Sequence, residues 1–559
     1  MLLNISSMKK YILAITAVAF ATTAFLSSCT KKIDEAYANP NADVRVPVEK
    51  LLPAIISTMG ANAAGHGVLN DIRFVGKYVQ NFLFCNSGGQ YDQMGGTIGA
   101  SDNAASIWRT HFYDIGQNCV KMIQWAEEEK KWDYAGVGKA IQAWSWLTLS
   151  DYHGEVINTN EAFNSSQLTF TYGTQESVYN YVRQLCYQAL DYLGRTGDGV
   201  SQTNLAIGDA YFYNGDAGKW KKFVYGILAR SYHHLTNKSI YRADSVIYYC
   251  DKAITSNADN ATVKFAATGI SGNSNFFGPL RGNLGSAAVG TETGIRQSAF
   301  IANLMSGLNN AFPGVTDPRA MYLLRSNTNG TFKGLSPNKG QTILAANDRP
   351  ESFWGISQAA GVNNTAPGND NNCRYLFRNN SEFPVMTASE IQFIKAEAMF
   401  RSSNKPGALT AYQSGIDLNF DMLSATYSTN VPAGSLLTPA IKTSFLSNPA
   451  VVPASPATLT LTHIMLQKYI ALYIHGILET WVDMRRYHYT DLDENTGQQV
   501  YRDFLVPSGT DLYINNSSKL VYRVRPRYNS EYVWNLNELN RIGASALDYH
   551  TKRCWFSEP

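Results

Sequence analysis

The sequence predicts a mostly α-helical chain, built from stacked helix hairpins that carry long irregular loops and a few short strands. Three observations predict it. Apolar residues recur at helical spacing in seven separate segments of the 559-residue chain. Neighbouring segments are joined by short polar links, so each helix has a sequence neighbour to pack on. Elsewhere Gly, Asn, Ser and Pro crowd into stretches too long for ordinary connections.

The chain opens with Lys9 and Lys10, then an uncharged apolar run from Tyr11 to Leu26. Basic, then apolar, then small residues is the order of a secretory signal peptide, and the run falls short of the roughly 20 residues of a comfortable span. It ends Leu26-Ser27-Ser28-Cys29, which resembles a bacterial lipobox. That resemblance implies a signal over 1–28 and lipid on Cys29. Residues 29–50 then read as a polar tether, broken by Asn39-Pro40-Asn41 and Pro47. Met8 opens a more compact signal than Met1. The charged patch Lys31-Lys32-Ile33-Asp34-Glu35 is similar to a surface-export signal of Bacteroidota lipoproteins, which implies a protein in the outer membrane facing the cell exterior.

The main body, 51–559, holds the helical segments. Over 134–151, Ile141, Trp144 and Leu147 share a face. Over 175–194, Val178, Val182, Leu185, Ala189 and Leu193 do so. Trp220, Phe223, Val224, Ile227 and Leu228 form a broad stripe in 216–236, and Val246, Tyr249, Cys250 and Ala253 a narrower one in 242–255. Then come 387–402 with Ile391, Ile394 and Ala398, and 407–422 with Leu409, Tyr412 and Ile416. The stretch 460–486 reads as two helices with a bend near Gly476. Hairpins of this size bury a face only by stacking, which resembles a tetratricopeptide-like scaffold without its strict repeat of about 34 residues. The loop texture marks 84–103, 256–387 and 424–458.

Composition excludes several classes. The formal charge is +3, and Lys9 and Lys10 supply two of those charges, leaving +1 for the body. No basic stretch suggests a nucleic-acid track. Of seven cysteines, the six beyond Cys29 are widely and irregularly spaced, so most of them read as small buried apolar residues, and one disulfide is open without a pairing that the sequence assigns. There is no G-x-S-x-G, H-E-x-x-H, Walker loop or G-x-G-x-x-G. His233 and His234 are adjacent, so their side chains diverge on a helix and do not share a metal. Asp491-Leu492-Asp493-Glu494-Asn495 begins like a calcium loop, but Thr496 and Arg502 stand at the sixth and twelfth positions, where Gly and Glu belong, so a polar turn is expected. A glycosidase needs two facing carboxylates, and none of the 44 acids is singled out. The reading is therefore non-enzymatic, with no cofactor and no metal.

Several motifs then appear in a fixed order. They are Asp151-Tyr152-His153-Gly154-Glu155-Val156, Thr174-Gln175-Glu176-Ser177-Val178-Tyr179, Asp216-Ala217-Gly218-Lys219-Trp220-Lys221-Lys222-Phe223 and Asp317-Pro318-Arg319. After them comes Pro384-Val385-Met386-Thr387-Ala388-Ser389-Glu390, continuing through Phe393 to Ala396-Glu397-Ala398. Gln467-Lys468-Tyr469, Glu479-Thr480-Trp481-Val482-Asp483-Met484-Arg485-Arg486 and Arg525-Pro526-Arg527-Tyr528 with Glu531 close the series. Together they resemble the SusD/RagB-like nutrient-binding outer-membrane lipoproteins of Bacteroidota, over nearly the whole chain. One departure is Ile157, where the family usually has Pro. The resemblance implies a lipoprotein that captures oligosaccharide or peptide ligands and passes them to a SusC-like TonB-dependent β-barrel transporter. A surface glycan-degrading enzyme, or a helical-repeat adaptor that binds only protein, are the rival readings.

Most of these motif residues also read as scaffold: Glu390, Glu397 and Trp220 as packing or capping groups, and Arg485 and Arg486 with Trp481 and Asp483 as an ion-pair and stacking cluster. The resemblance places ligand contacts on loops, one of them ahead of the helix near Trp108. Rings beside polar groups suit saccharides. The candidates are Asn86, Tyr91, Asp92 and Gln93 on the first loop, Phe276, Phe277, Arg281 and Asn283 on the second, and Trp354, after Phe353, on the third. If these rings touch ligand, truncating Tyr91 or Trp354 weakens binding and leaves melting unchanged. If they staple the loops to the scaffold, binding and folding fall together.

Overall fold

A computed structural model describes residues 45–60, 68–87, 92–94, 105–164, 166–266, 268–284, 294–356 and 366–559. The signal segment, Cys29, residues 30–44 of the tether and Tyr91 lie outside them. The long helices are α1 (Val48–Gly60), α2 (Val68–Tyr78), α3 (Asn118–Glu128), α4 (Trp132–His153), α5 (Gln175–Tyr192), α6 (Ala217–His233), α7 (Ala243–Lys252), α8 (Ala388–Arg401), α9 (Lys405–Thr426), α10 (Leu461–Ala471) and α11 (Ile477–Arg486). The strands are short: β1 (Phe82–Phe84), β2 (Val156–Ile157), β3 (Tyr172–Gly173), β4 (Ala261–Val263), β5 (Ile295–Gln297), β6 (Phe383–Met386), β7 (Leu492–Asp493) and β8 (Gln498–Gln499). They pair antiparallel, β1 with β5, β2 with β3, β4 with β6 and β7 with β8.

The predicted helical segments are all present, and their starts follow from capping chemistry. Thr174, Asp216 and Thr387 each stand just before a helix and accept from the backbone N–H of Ser177, Lys219 and Glu390. The expected bend in 460–486 is a full break: α10 ends at Ala471, Ile474 turns left-handed, and Gly476 precedes α11. Consecutive helices pack in pairs, α3 on α4, α4 on α5, α6 on α7 and α8 on α9. Helix α4 is buried on nearly every side, so its apolar residues run round the whole circumference. The six cysteines of the body are free and buried, as expected of small apolar residues. Asp491–Gln499 is a tight hairpin whose Asp493 carboxylate accepts from Leu461 N and Asn495 N at 2.9 and 2.8 Å.

Early and late chain segments interlock. Val79 O accepts from the Tyr469 hydroxyl at 2.9 Å, Asn81 Oδ1 from Ile474 N at 2.9 Å, and the Tyr78 hydroxyl from Val521 N at 2.8 Å. Gln80 Nε2 donates to Leu505 O at 2.7 Å. Among the described residues no helix is long and apolar enough to cross a membrane.

Candidate functional site

The largest groups of motif residues meet in the interior as two charge clusters. In the first, Arg486 donates to Glu397 at 2.9 Å and to Asp483 at 2.6 Å, while Lys468 lies 2.7 Å from Asp483. In the second, Arg230 pairs with Glu390 at 2.6 Å, and His234 sits between Asp151 at 3.2 Å and Glu479 at 3.0 Å. Burial opposes the charge on Glu397, but Arg486 and its neighbours outweigh it and hold that carboxyl well below the usual range. His233 and His234 part company, as adjacent helical residues must. His233 faces Glu397, yet burial and then Arg486 hold it down to about 3. His234 is disfavoured by burial, but Asp151 and Glu479 raise it to about 9. Each carboxylate set already has Arg or Lys as counter-charge, which is the chemistry of a structural pair, not of a metal centre.

The other motif residues do similar work. Arg319 binds Asp317 at 2.6 Å and Asn419 at 2.8 Å. Arg485 stacks 3.8 Å over Trp481 and donates to Asp151 O at 2.6 Å. Trp220 Nε1 donates to Asp209 at 2.9 Å. Gly154 has φ +82°, and a Cβ there would strike the Arg523 guanidinium that pairs with Glu155.

The ligand loops named from the sequence are placed as follows. Phe276, Phe277 and Trp354 are enclosed, Trp354 with 1% of its surface exposed. Trp354 Nε1 donates to Phe277 O at 2.8 Å, and Phe353 stacks on Phe377 at 4.2 Å. The second and third loops are thus brought together and stapled to the scaffold by their rings. Trp354→Ala would remove a core side chain, so it cannot separate binding from folding. Asn283 Nδ2 donates to Phe276 O at 3.0 Å, and Arg281 is half-buried beside it. Asp92 is buried, accepting from Tyr513 N at 3.0 Å and Asn516 Nδ2 at 2.6 Å. Asn86 and Gln93 are partly exposed on the same loop.

A groove of about 520 Å³ lies elsewhere, among three segments. Its floor follows a π-helical stretch, Thr110–Gln117, which continues the short helix Ser106–Arg109. A second π-helical turn, Tyr528–Tyr532, brings Ser530 and Glu531 to it. Such turns re-aim side chains and recur at functional sites. The link 158–171 between β2 and β3 supplies Ala162, Phe163, Asn164, Gln167 and Phe170. Phe163 holds φ +71°, a strained value for a bulky residue, and its ring lies where a Cβ on Gly116 would be. Trp108, Phe112 and Phe163 wall the groove, with Trp108 5.1 Å from Phe112 and Phe112 6.1 Å from Phe163. Tyr113 stands at the mouth, 67% exposed. Gln117, Gln167 and Asn164 offer amides. Burial raises the Glu531 carboxyl, which the Tyr172 hydroxyl and Asn535 Nδ2 reach at 2.8 and 3.2 Å. Asn535 also clamps Phe170 O at 2.9 Å, and its neighbour Trp534 is 72% exposed.

Of the groove residues, the sequence marks Glu531 and Arg527 within a closing motif, Ile157 as a departure from a motif and Trp108 only as a neighbour of the first ligand loop; none of them stands among the candidate ligand contacts. The remaining signal was the ring-bearing polar link 158–171, shorter than the loops that drew notice.

The family model described as SusD-like, starch-binding associating with outer membrane, matches residues 42–508. A SusD/RagB family protein from Bacteroides thetaiotaomicron superposes with TM-score 0.64 at 18% identity, covering 92% of this chain and 99% of that one. A SusD homolog from Bacteroides fragilis gives 0.66 at 16%, covering 92% and 100%. A chitin-binding SusD homolog from Flavobacterium johnsoniae gives 0.61 at 17%, covering 91% and 98%. No curated protein matches.

Proposed function

Because the chain belongs to the SusD-like family of starch-binding, outer-membrane-associated proteins, we propose that it is a surface nutrient-binding protein that captures oligosaccharides and hands them to a TonB-dependent β-barrel transporter. The observation that carries the reading is the groove with aromatic walls and an amide rim. Flat rings cover the apolar faces of a sugar, and side-chain amides pair with its hydroxyls. Glu531 is the one carboxylate among the described residues lining the groove. Glycoside hydrolysis works through two facing carboxyl groups, so this arrangement suits holding a chain and not cutting it. Anchoring through lipid on Cys29, outward-facing, belongs to the same proposal, as do ligand contacts from Asn86, Tyr91 and Gln93.

Tyr113→Ala is expected to weaken binding of maltoheptaose or chitohexaose at least tenfold by calorimetry, with the melting temperature unchanged, since the ring is mostly in water. Equal affinity of variant and wild type would remove the groove from the reading. The transporter is tested separately. Mild detergent extraction of a C-terminally tagged chain is expected to bring down a stoichiometric large β-barrel. A clean chain after gentle cross-linking would favour the adaptor or enzyme readings.

A further inference from the structure

The outer face of α5, α6 and α7 carries a ladder of tyrosines. Tyr232 stacks on Tyr249 with centroids 5.4 Å apart, and Tyr249 on Tyr225 at 6.4 Å. Arg183 closes one end, 4.1 Å over Tyr232, and Lys252 the other, 5.7 Å from Tyr225. The Tyr187 hydroxyl is 2.9 Å from that of Tyr249 and 3.5 Å from that of Tyr232. Tyr187 is 47% exposed and Tyr248, edge-on to Tyr249, 54%. Tyr225, Tyr232 and Tyr249 rest half-buried against the core, and Tyr187 and Tyr248 extend the ladder into solvent. Tyrosine is the residue that joins apolar area to a hydroxyl at little entropic cost, and it is enriched where proteins bind.

A shallow depression of about 550 Å³ runs along this face, sharing no lining residue with the groove. Its charges are committed: Arg183 donates to Ser231 O at 2.8 Å, and Asp191 is bridged by Arg195 at 2.7 Å. What remains is a row of side-chain amides, Asn180, Gln184 and Gln188, four residues apart on α5. Helical rise sets them about 6 Å apart on one line. Each amide offers a donor and an acceptor together, the pattern that pairs with two adjacent hydroxyls. A regular row of such pairs beside an exposed ring fits a repeating, uncharged, hydroxyl-rich chain.

We propose that this face is a second saccharide platform, which takes a neutral glycan chain lying along α5 beside Tyr187. It stands or falls independently of the groove. Two sites on one chain would favour polymers over short oligomers, through the raised effective concentration of the second contact.

The test is affinity electrophoresis of the purified chain in gels containing glycogen and in gels containing glycol chitin. Wild type is expected to be retarded in at least one gel, and Tyr113→Ala to keep part of that retardation. The Gln184→Ala/Tyr187→Ala/Gln188→Ala variant is expected to lose at least threefold in apparent affinity, and its combination with Tyr113→Ala to migrate freely. Should the triple variant melt lower, the Gln184→Ala/Gln188→Ala pair, which leaves the rings in place, decides. Retardation of that pair equal to wild type, or no retardation of wild type in either gel, overturns the platform. Loss of all binding in Tyr113→Ala alone also overturns it, while leaving the groove reading intact.

Discussion

Arg486→Leu is expected to cost about 3–5 kcal/mol of folding free energy, or to abolish soluble expression. Arg486 is fully enclosed and reaches two carboxylates, Glu397 at 2.9 Å and Asp483 at 2.6 Å. Without it Glu397 keeps only Arg401 as a charged partner, at 2.9 Å and partly exposed, and loses the two N–H donors that Arg486 supplies inside the fold, while Asp483 keeps Lys468 at 2.7 Å. Lysine is no conservative substitute, because one ammonium cannot hold two carboxylates in the fixed fork that guanidinium provides. Glu397→Gln in the Arg486→Leu background is expected to recover part of the loss, since it removes the acid that Arg486 neutralised. Urea unfolding of the four proteins measures this. Additive losses would mean that the two residues do not act as a unit.

Acid is expected to unfold the domain early. His111, His153, His233, His475 and His550 are held down to about 3, and His463 to about 4, chiefly because burial excludes the charged ring. Their ordinary value is 6.5, so the unfolded chain takes up protons first as pH falls. Stability is therefore lost from about pH 6.5 downward, by roughly 2 kcal/mol per such histidine at pH 5. His234 has the opposite sign. Its raised value, about 9, gives a contribution that is complete below 6.5 and fades as pH rises through 9. The melting temperature should peak near neutrality and fall steeply before ordinary carboxylates titrate. A melting temperature that is level from pH 7 to pH 5 would show that these rings are not neutral in the fold.

Much of the scaffold was readable from residues because its causes are local. An apolar stripe at helical spacing buries its face wherever the helix packs, as Val178, Val182 and Leu185 do in α5. Gly476 marked a break for the same reason. The site was less readable because its causes are not local. A ring beside polar residues looks the same in sequence whether it turns inward from a loop, as Phe277 and Trp354 do, or outward from a helical turn, as Tyr113 does. The π-helical stretch Thr110–Gln117 has no spacing signature of its own, and Phe163 enters the groove through a backbone conformation that its sequence does not advertise.

The interlock of early and late segments bears on how the chain acquires its fold. A chain made from its N-terminus presents Tyr78 to Asn81 hundreds of residues before Tyr469, Ile474, Leu505 and Val521 exist to satisfy them. Strand β1 likewise waits for β5. Loop closure over such separations is paid before any contact rewards it, which slows folding. The segment Tyr78–Phe84 must therefore wait for its partners, and needs protection from aggregation, until most of the chain has been made.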